Sequence, residues 1–408
     1  MCVSCGPRAF LPFVPRCMEE IWPMLEYPHE DIRREAVGAI TKFCAAYFIE
    51  LDQGVGDLNM FIETATKLVP LLCEMVRKDE SVDVVCSALD MIADLLKTCK
   101  HGITNIPGHN EEVIGVMHNV IQSNCACMDS DIAADGGTGN DDDTGSLDEA
   151  EQDEVLFEYA GDILPSLGQA LNDPLKFKPY FAGMLAHLMK KTKNRCTTAE
   201  KSFAAGSLAE CMEPLRGQLE PFVSHIMPVF IKLVNDEDDD VRNNAIFGLG
   251  ELVLHAGPVM HPHFGDLLAT LSKLLSDEHA PRVIDQIAGA VCRLILANKN
   301  LVPLEAVVPV VLQQLPMRED LDEYGVVFEA FSVLFSDGNE LVAAAMPNLI
   351  SYSLVLFNTD EEFNREKVLP VVSGLLQKFK ISLPEKFSTS LQTLPDEQRV
   401  ALLAKLNE

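Results

Sequence analysis

The sequence is poor in aromatic residues and in positive charge. It has one Trp (Trp22) and an aromatic share of 7%, so a large aromatic-rich β-sandwich core is excluded. Leu, Val and Ala dominate instead, and side chains of that size suit close helix–helix packing. Thirty-two Lys and Arg stand against 62 Asp and Glu, a formal net charge of −30. Phosphate backbones need a basic face, so direct binding of nucleic acid is not expected, nor is attraction to an anionic membrane surface. No run of about 18 uncharged apolar residues is read in the chain, so no membrane span is expected. The opening MCVSCGPRAF lacks the basic start and apolar stretch of a secretory signal. The twelve cysteines sit mostly in apolar helical stretches, which reads as reduced core thiols of a cytosolic or nuclear protein and excludes a disulfide framework.

What is present is repetition. An amphipathic helix (A), a short turn rich in Asp, Glu, Asn or Pro, and a second amphipathic helix (B) recur at a spacing of about 40–45 residues, the HEAT period. The pattern predicts an all-α HEAT-repeat solenoid, a right-handed superhelix of about eight to nine antiparallel helix pairs. The clearest copy runs from Leu219 to Gly257, with turn Asp236-Glu237-Asp238-Asp239 and a buried stripe of Val241, Ala245, Leu249 and Leu252. Asp240 is expected to cap helix B, and Arg242 to reach turn acids of its own or a neighbouring repeat. Pro12, Pro70, Pro228, Pro309 and Pro347 fall in or at the start of A helices, where a bend is tolerated. The chain opens mid-pattern and is expected to be part of a longer solenoid.

The expected organisation is three repeats over 1–128, the third interrupted; an acidic, disordered insertion at 129–154; and the remaining repeats over 155–408, with a short pair at 385–407. The insertion carries eleven acids and no Lys or Arg, among them Asp141, Asp142, Asp143, Asp148 and Glu149. It is either a spacer or a polyanion that competes for basic cargo.

No catalytic signature stands out, and no cofactor or metal is expected. Gly136-Gly137-Thr138-Gly139 lacks a phosphate-loop Lys; Asp236, Asp238 and Asp240 mimic a calcium loop but have Val241 and Phe247 where Gly and Glu are needed. Cys2/Cys5 and Cys125/Cys127 lack a second zinc-ligand pair, and His255, His261 and His263 lack a further ligand. The more informative pattern lies on the B helices. Asn243, Phe247 and Glu251 recur at i, i+4 and i+8, opposite the buried stripe. Superposed on them are Ser202, Gly206 and Glu210 in repeat four, and Asp285, Gly289 and Arg293 in repeat six. Such a wall of acids around a ring, with Asn244 and Gln286 for peptide backbone, suits an extended basic peptide. The competing reading is that Phe247 packs on the next repeat and Arg293 pairs with Glu251, so that the face is internal. In repeat seven, Glu319, Asp320, Asp322 and Glu323 surround Tyr324; they either favour the positive helix N-terminus or form a second lysine-binding patch.

The strings DVRNNAIFGLGEL, KTKNRCTTAEKSFAAGSLAE, VIDQIAGAVCRLI and LPMREDLDEY resemble the C-terminal half of importin-β-type nuclear transport receptors (karyopherins), along essentially the whole chain. The resemblance implies a monomeric receptor shuttling between cytoplasm and nucleus. Its implied cargo is basic: histone H3–H4 by the H3 tail, with a histone chaperone attached, or ribosomal proteins. It also implies contacts with nuclear pore repeats, and release by Ran-GTP acting through an N-terminal half outside this chain. Arg293 departs from an all-acidic cradle. The alternative is a HEAT scaffold for a multiprotein assembly.

Overall fold

The computed structural model describes residues 7–54, 56–128, 154–360, 363–392 and 394–406. Among the described residues every regular element is helical, as the period predicts. The expected insertion lies outside the described residues except for Glu154, which opens a helical stretch at 154–161. The chain divides into two compact units, Met1–Gln218 and Leu219–Glu408.

In the first unit the main helices are α1 (Val14–Ile21), α2 (Glu30–Asp52), α3 (Leu58–Lys78), α4 (Val82–Cys99), α5 (His109–Ile121), α6 (Ile163–Leu171), α7 (Pro174–Lys191) and α8 (Thr198–Glu210). Odd-numbered helices are A helices and even-numbered ones B helices. The B helices α2, α4 and α6 stack side by side, and α3, α5 and α7 form a second row. Starts are set by side-chain caps. Asp57 accepts from the Asn59 and Met60 amides, Asp173 from Leu175 and Lys176, and Thr197 with Glu200 forms a capping box. Pro70 lies inside α3 as expected, and Pro179 lies inside α7 as well.

The second unit repeats the scheme with α9 (Glu220–Leu233), α10 (Asp239–Ala256), α11 (Phe264–Asp277), α12 (Pro281–Asn298), α13 (Leu304–Gln314), α14 (Glu323–Ser336), α15 (Glu340–Asn358), α16 (Arg365–Ser382), α17 (Pro384–Gln392) and α18 (Asp396–Lys405). Its B row is α10–α12–α14–α16. A helix with neighbours on both sides and its own A helix beneath is covered on three faces. This is why Asp285 to Ala290 of α12 are buried without a break. The expected stripe Val241, Ala245, Leu249 and Leu252 is fully buried.

Two expectations change. The cap of α10 is Asp238, which accepts from the Val241 amide (3.1 Å), while Asp240 lies within the first turn and pairs with Arg282. The amides freed at a helix start are reached from the residue just before it, so the earlier acid takes the role. Second, α15 is long and apolar enough to cross a membrane. It sits in the A row between α13 and α17, with Val342, Met346, Leu349, Ile350 and Leu354 buried along one face.

One device registers successive repeats in both units. Arg33 of α2 forks onto the Asp79 carboxylate of the next turn (2.8 and 2.7 Å) and donates to its own turn carbonyls, Tyr27 and Pro28. Arg242 of α10 does the same with Glu278 (2.8 and 3.0 Å) and the Asp236 and Glu237 carbonyls. A planar guanidinium can serve a carboxylate and two carbonyls together, which a Lys cannot. This is the reach expected of Arg242.

Candidate functional site

The B row of the second unit brings the predicted residues together. Arg282 pairs with Asp240 and Arg293 with Glu251, each pair 42 residues apart, so α12 runs beside α10 in the register that aligns Phe247 with Gly289. The line is filled from within. Arg293, 6% exposed, donates to Glu251 Oε1 (2.5 Å) and to both oxygens of Glu323 (2.6 and 2.9 Å), and its guanidinium lies 4.9 Å over the Phe247 ring. A Cβ on Gly289 would overlap the Glu323 carboxylate, so the small residue admits an internal ion pair. The open row of gap, ring and gap is therefore corrected. The protein's own arginine occupies the acid-and-aromatic cradle, because it is the nearest cation that removes Glu251 and Glu323 from an otherwise unpaired burial.

The two acids respond differently. Burial raises the carboxyl of Glu251, but His255 (3.2 Å) and Arg293 outweigh it and hold the group below the ordinary value. At Glu323 burial prevails over Arg293, helped by Asp320 and Glu251, and the carboxyl stays above the ordinary value.

Asp285 is also internal. Its Oδ2 accepts from the amides of Arg318 (2.7 Å), Glu319 (2.9 Å) and Asp320 (3.2 Å), and so holds the A–B turn of repeat seven. Tyr324, expected as a surface ring, is buried; its hydroxyl accepts from the Met317 amide (3.0 Å) at the start of that turn. Asn243 and Gln286 are buried rather than offered to a peptide, because α10 and α12 lie against each other there. Gln286 donates through Nε2 to Asp320 Oδ2 (3.1 Å), while its Oε1 and Asn243 Oδ1 are buried without a hydrogen bond.

What remains at the surface is narrower than the predicted wall. Glu319 and Asp322 are exposed and Asp320 is half-buried on the turn that Asp285 holds. Burial, then Asp322 and Asp285, raise the Asp320 carboxyl above its ordinary value against the pull of Arg282 and Arg293. Phe247, Glu251 and Asn244 are half-buried, and Glu210, in the first unit, is exposed. Asp141, Asp142, Asp143, Asp148 and Glu149 lie outside the described residues, as do Cys2 and Cys5. Among the described residues no group of three His, Cys, Asp or Glu is placed to hold a metal.

Sequence reasoning missed one further feature. Between α11 and α13, floored by α12, lies an apolar groove of about 320 Å³ lined by Leu268, Leu275, Val291, Val307 and Val310. The only signal was the excess of Val in α13, which exceeds what a single buried stripe needs.

A HEAT-like repeat family matches residues 198–252. Over 401 residues, 98% of the chain, the sequence is 34% identical to importin-4 of Homo sapiens and covers 36% of that protein. The chain belongs to the importin-β family. A probable importin subunit beta-4 of Schizosaccharomyces pombe is 26% identical over 260 residues, 63% of the chain and 23% of that protein. The crystal structure of Kap121p superposes over 97% of the chain and 34% of its own length, with a TM-score of 0.69 at 12% identity, which shows a shared karyopherin solenoid fold. This karyopherin chain thus spans about a third of the length of importin-4.

Proposed function

We propose that the chain is a cargo-holding part of a nuclear import receptor that shuttles between cytoplasm and nucleus. We place the grip on lysine-rich cargo at the A–B turn of repeat seven. The observation that supports this best is the state of Asp320. Its carboxyl is half-buried and pushed up by burial and two neighbouring acids, and its hydrogen bond comes from a neutral amide, Gln286. An incoming ammonium group brings three donors and a charge, so it can serve Asp320 together with Glu319 or Asp322. The family suggests the cargo: the histone H3 tail or H3–H4 with a histone chaperone, or a ribosomal protein. Ran-GTP would act through receptor segments outside this chain. The apolar groove between α11 and α13 has the size and lining for an aromatic side chain of a nuclear pore repeat.

An H3-tail peptide titrated by fluorescence anisotropy tests the reading. Binding should weaken steeply between low salt and about 0.3 M salt, as screening shortens the reach of the acids. Glu319→Lys with Asp322→Lys should cost about tenfold or more in affinity; Glu319→Lys alone, whose side chain is exposed, should take part of that loss while the melting temperature holds, since Asp322 Oδ1 also accepts from the Asn364 amide (2.7 Å). An absence of binding at low salt would sink the cargo reading. Unchanged affinity in the double variant would move the site elsewhere.

A further inference from the structure

The distribution of positive charge is uneven in a way the cargo reading does not use. Residues 190–201 hold Lys190, Lys191, Lys193, Arg195 and Lys201 against a single acid, Glu200, within a chain of net charge −30. This stretch is the A–B turn of repeat four, joining α7 to α8. In the neighbouring repeats the same turn is acidic, with Asp236 to Asp240 in repeat five and Asp277 and Glu278 in repeat six.

The turn is a built platform. Lys191 is spent internally: its ammonium lies 4.6 Å over the Phe157 ring and donates to Glu200 Oε1 (2.5 Å). Glu200 in turn closes the capping box with Thr197, donating its amide to the Thr197 hydroxyl and accepting from the Thr197 amide. Thr192 donates to the Met189 carbonyl (3.0 Å) and Cys196 to the Lys190 carbonyl (3.3 Å). With these bonds fixing the backbone, Lys190, Lys193 and Arg195 stand exposed, and among the described residues none of the three is ion-paired.

We infer that this basic turn is a docking surface for a short acidic segment of a partner protein. The size of the patch and the charge around it select that occupant. About six residues of extended peptide, at roughly 3.4 Å each, cover about 20 Å, which is the scale of a single turn. A nucleic acid long enough to bind by counterion release would run off the turn onto a chain of net charge −30 and be repelled there. A short run of Asp or Glu pairs with three cations and ends before that penalty begins. The cargo reading commits the chain's own acids to basic partners, and the inference rests on it to that extent; the acidic segment is therefore placed on a partner.

The probe is a fluorescein-labelled oligo-glutamate peptide, titrated into the whole chain at low salt. It should bind, and Lys193→Glu with Arg195→Glu should weaken it roughly tenfold or more, while Lys67→Glu in the first unit leaves it unchanged. Because both reversed residues are exposed, a melting curve that matches the wild type separates lost contact from lost folding. A second readout is His187, three residues before Lys190. Burial, His118 and Lys190 hold its imidazole below the ordinary value, and a docked acid should raise it, visible in an NMR titration. Three results would overturn the inference. The first is peptide affinity indifferent to the double reversal. The second is an oligo-deoxythymidine that binds the turn more tightly than the peptide. The third is peptide binding seen only when residues 129–153 are replaced by a neutral linker, which would assign the turn to the chain's own acids. Failure of the H3-tail titration leaves these outcomes distinct, since that peptide carries the opposite charge.

Discussion

Replacing Arg293 by Met should be among the most damaging single changes in the second unit. Arg293 joins three consecutive B helices: its own α12, Glu251 on α10 and Glu323 on α14. Met keeps much of the apolar stem on Phe247 but leaves the buried Glu323 carboxylate without its cation and the half-buried Glu251 with only His255 (3.2 Å). Removing one partner of a buried pair costs about 3–5 kcal/mol, and in a unit of this size each kcal/mol lowers the midpoint by about 2–4 °C. The expected loss is therefore about 6–20 °C for this unit at pH 7.5, read by calorimetry, which resolves the two units if they melt apart. The pH dependence identifies the cause. Glu251 is held below its ordinary value, so its contribution is present above about pH 4.3 and lost as pH falls below that. Glu323 is held above its ordinary value, so its ionised form costs stability at neutral pH, and the cost fades as pH falls below its folded value toward the ordinary one. Without Arg293 that cost grows. The variant should recover part of its deficit as pH falls from 7.5 toward the ordinary carboxylate range, and adding Glu323→Gln should restore part of it at neutral pH. A loss under about 2 °C, or a deficit independent of pH, would refute the assignment of Arg293 as the buried counter-charge.

Glycines test the same packing with opposite signs. Gly289→Ala should destabilise by about 1–3 kcal/mol through overlap with Glu323, whereas Gly38→Ala in α2, where a Cβ meets nothing within 4 Å, should stabilise by up to about 1 kcal/mol in thermal melts. Arg242→Ala and Arg33→Ala should each cost about 1–3 kcal/mol, and hydrogen exchange should quicken first in the turns they hold, at 236–238 and at Tyr27. Asp285→Ala frees three backbone amides of the turn from a charged acceptor; it should cost about 2–3 kcal/mol and weaken H3-tail binding, because the turn carrying Glu319, Asp320 and Asp322 loses its anchor, and an affinity that holds while stability falls would separate that turn from cargo.

The helical period was legible because each pair must bury one stripe against the next. Val241, Ala245, Leu249 and Leu252 announce their burial by spacing alone. The reach of Arg242 to turn acids could also be read, since turn and helix are adjacent in sequence. The face opposite the stripe could not. Whether Asn243 and Phe247 look at solvent depends on how closely α12 lies against α10, and that distance is set by Gly289, Gly250 and Ala290, which carry no charge or ring to draw the eye. Asp285 was read as a surface acid because its partners are backbone amides, which every residue owns and no sequence pattern marks. Tyr324 was misplaced for the same reason, since its hydroxyl answers a backbone amide of the turn.

These internal charges also sharpen where a basic partner can be held. A cargo lysine seeking the Phe247 cradle would have to displace Arg293, which is already bonded to two carboxylates and seated over the ring. An ammonium offers three donors where the guanidinium offers five in a fixed fork, so the exchange loses hydrogen bonds as well as packing. The turn of repeat seven presents no such competitor. Its acids are exposed or half-buried, one carboxyl is raised by its neighbours, and a buried amide oxygen beside it accepts from nothing. A cation arriving there relieves repulsion instead of replacing an ion pair. The energetics therefore favour the turn edge over the B-helix wall, and Glu319 and Asp322, not Glu251, are the residues whose reversal should be felt by cargo.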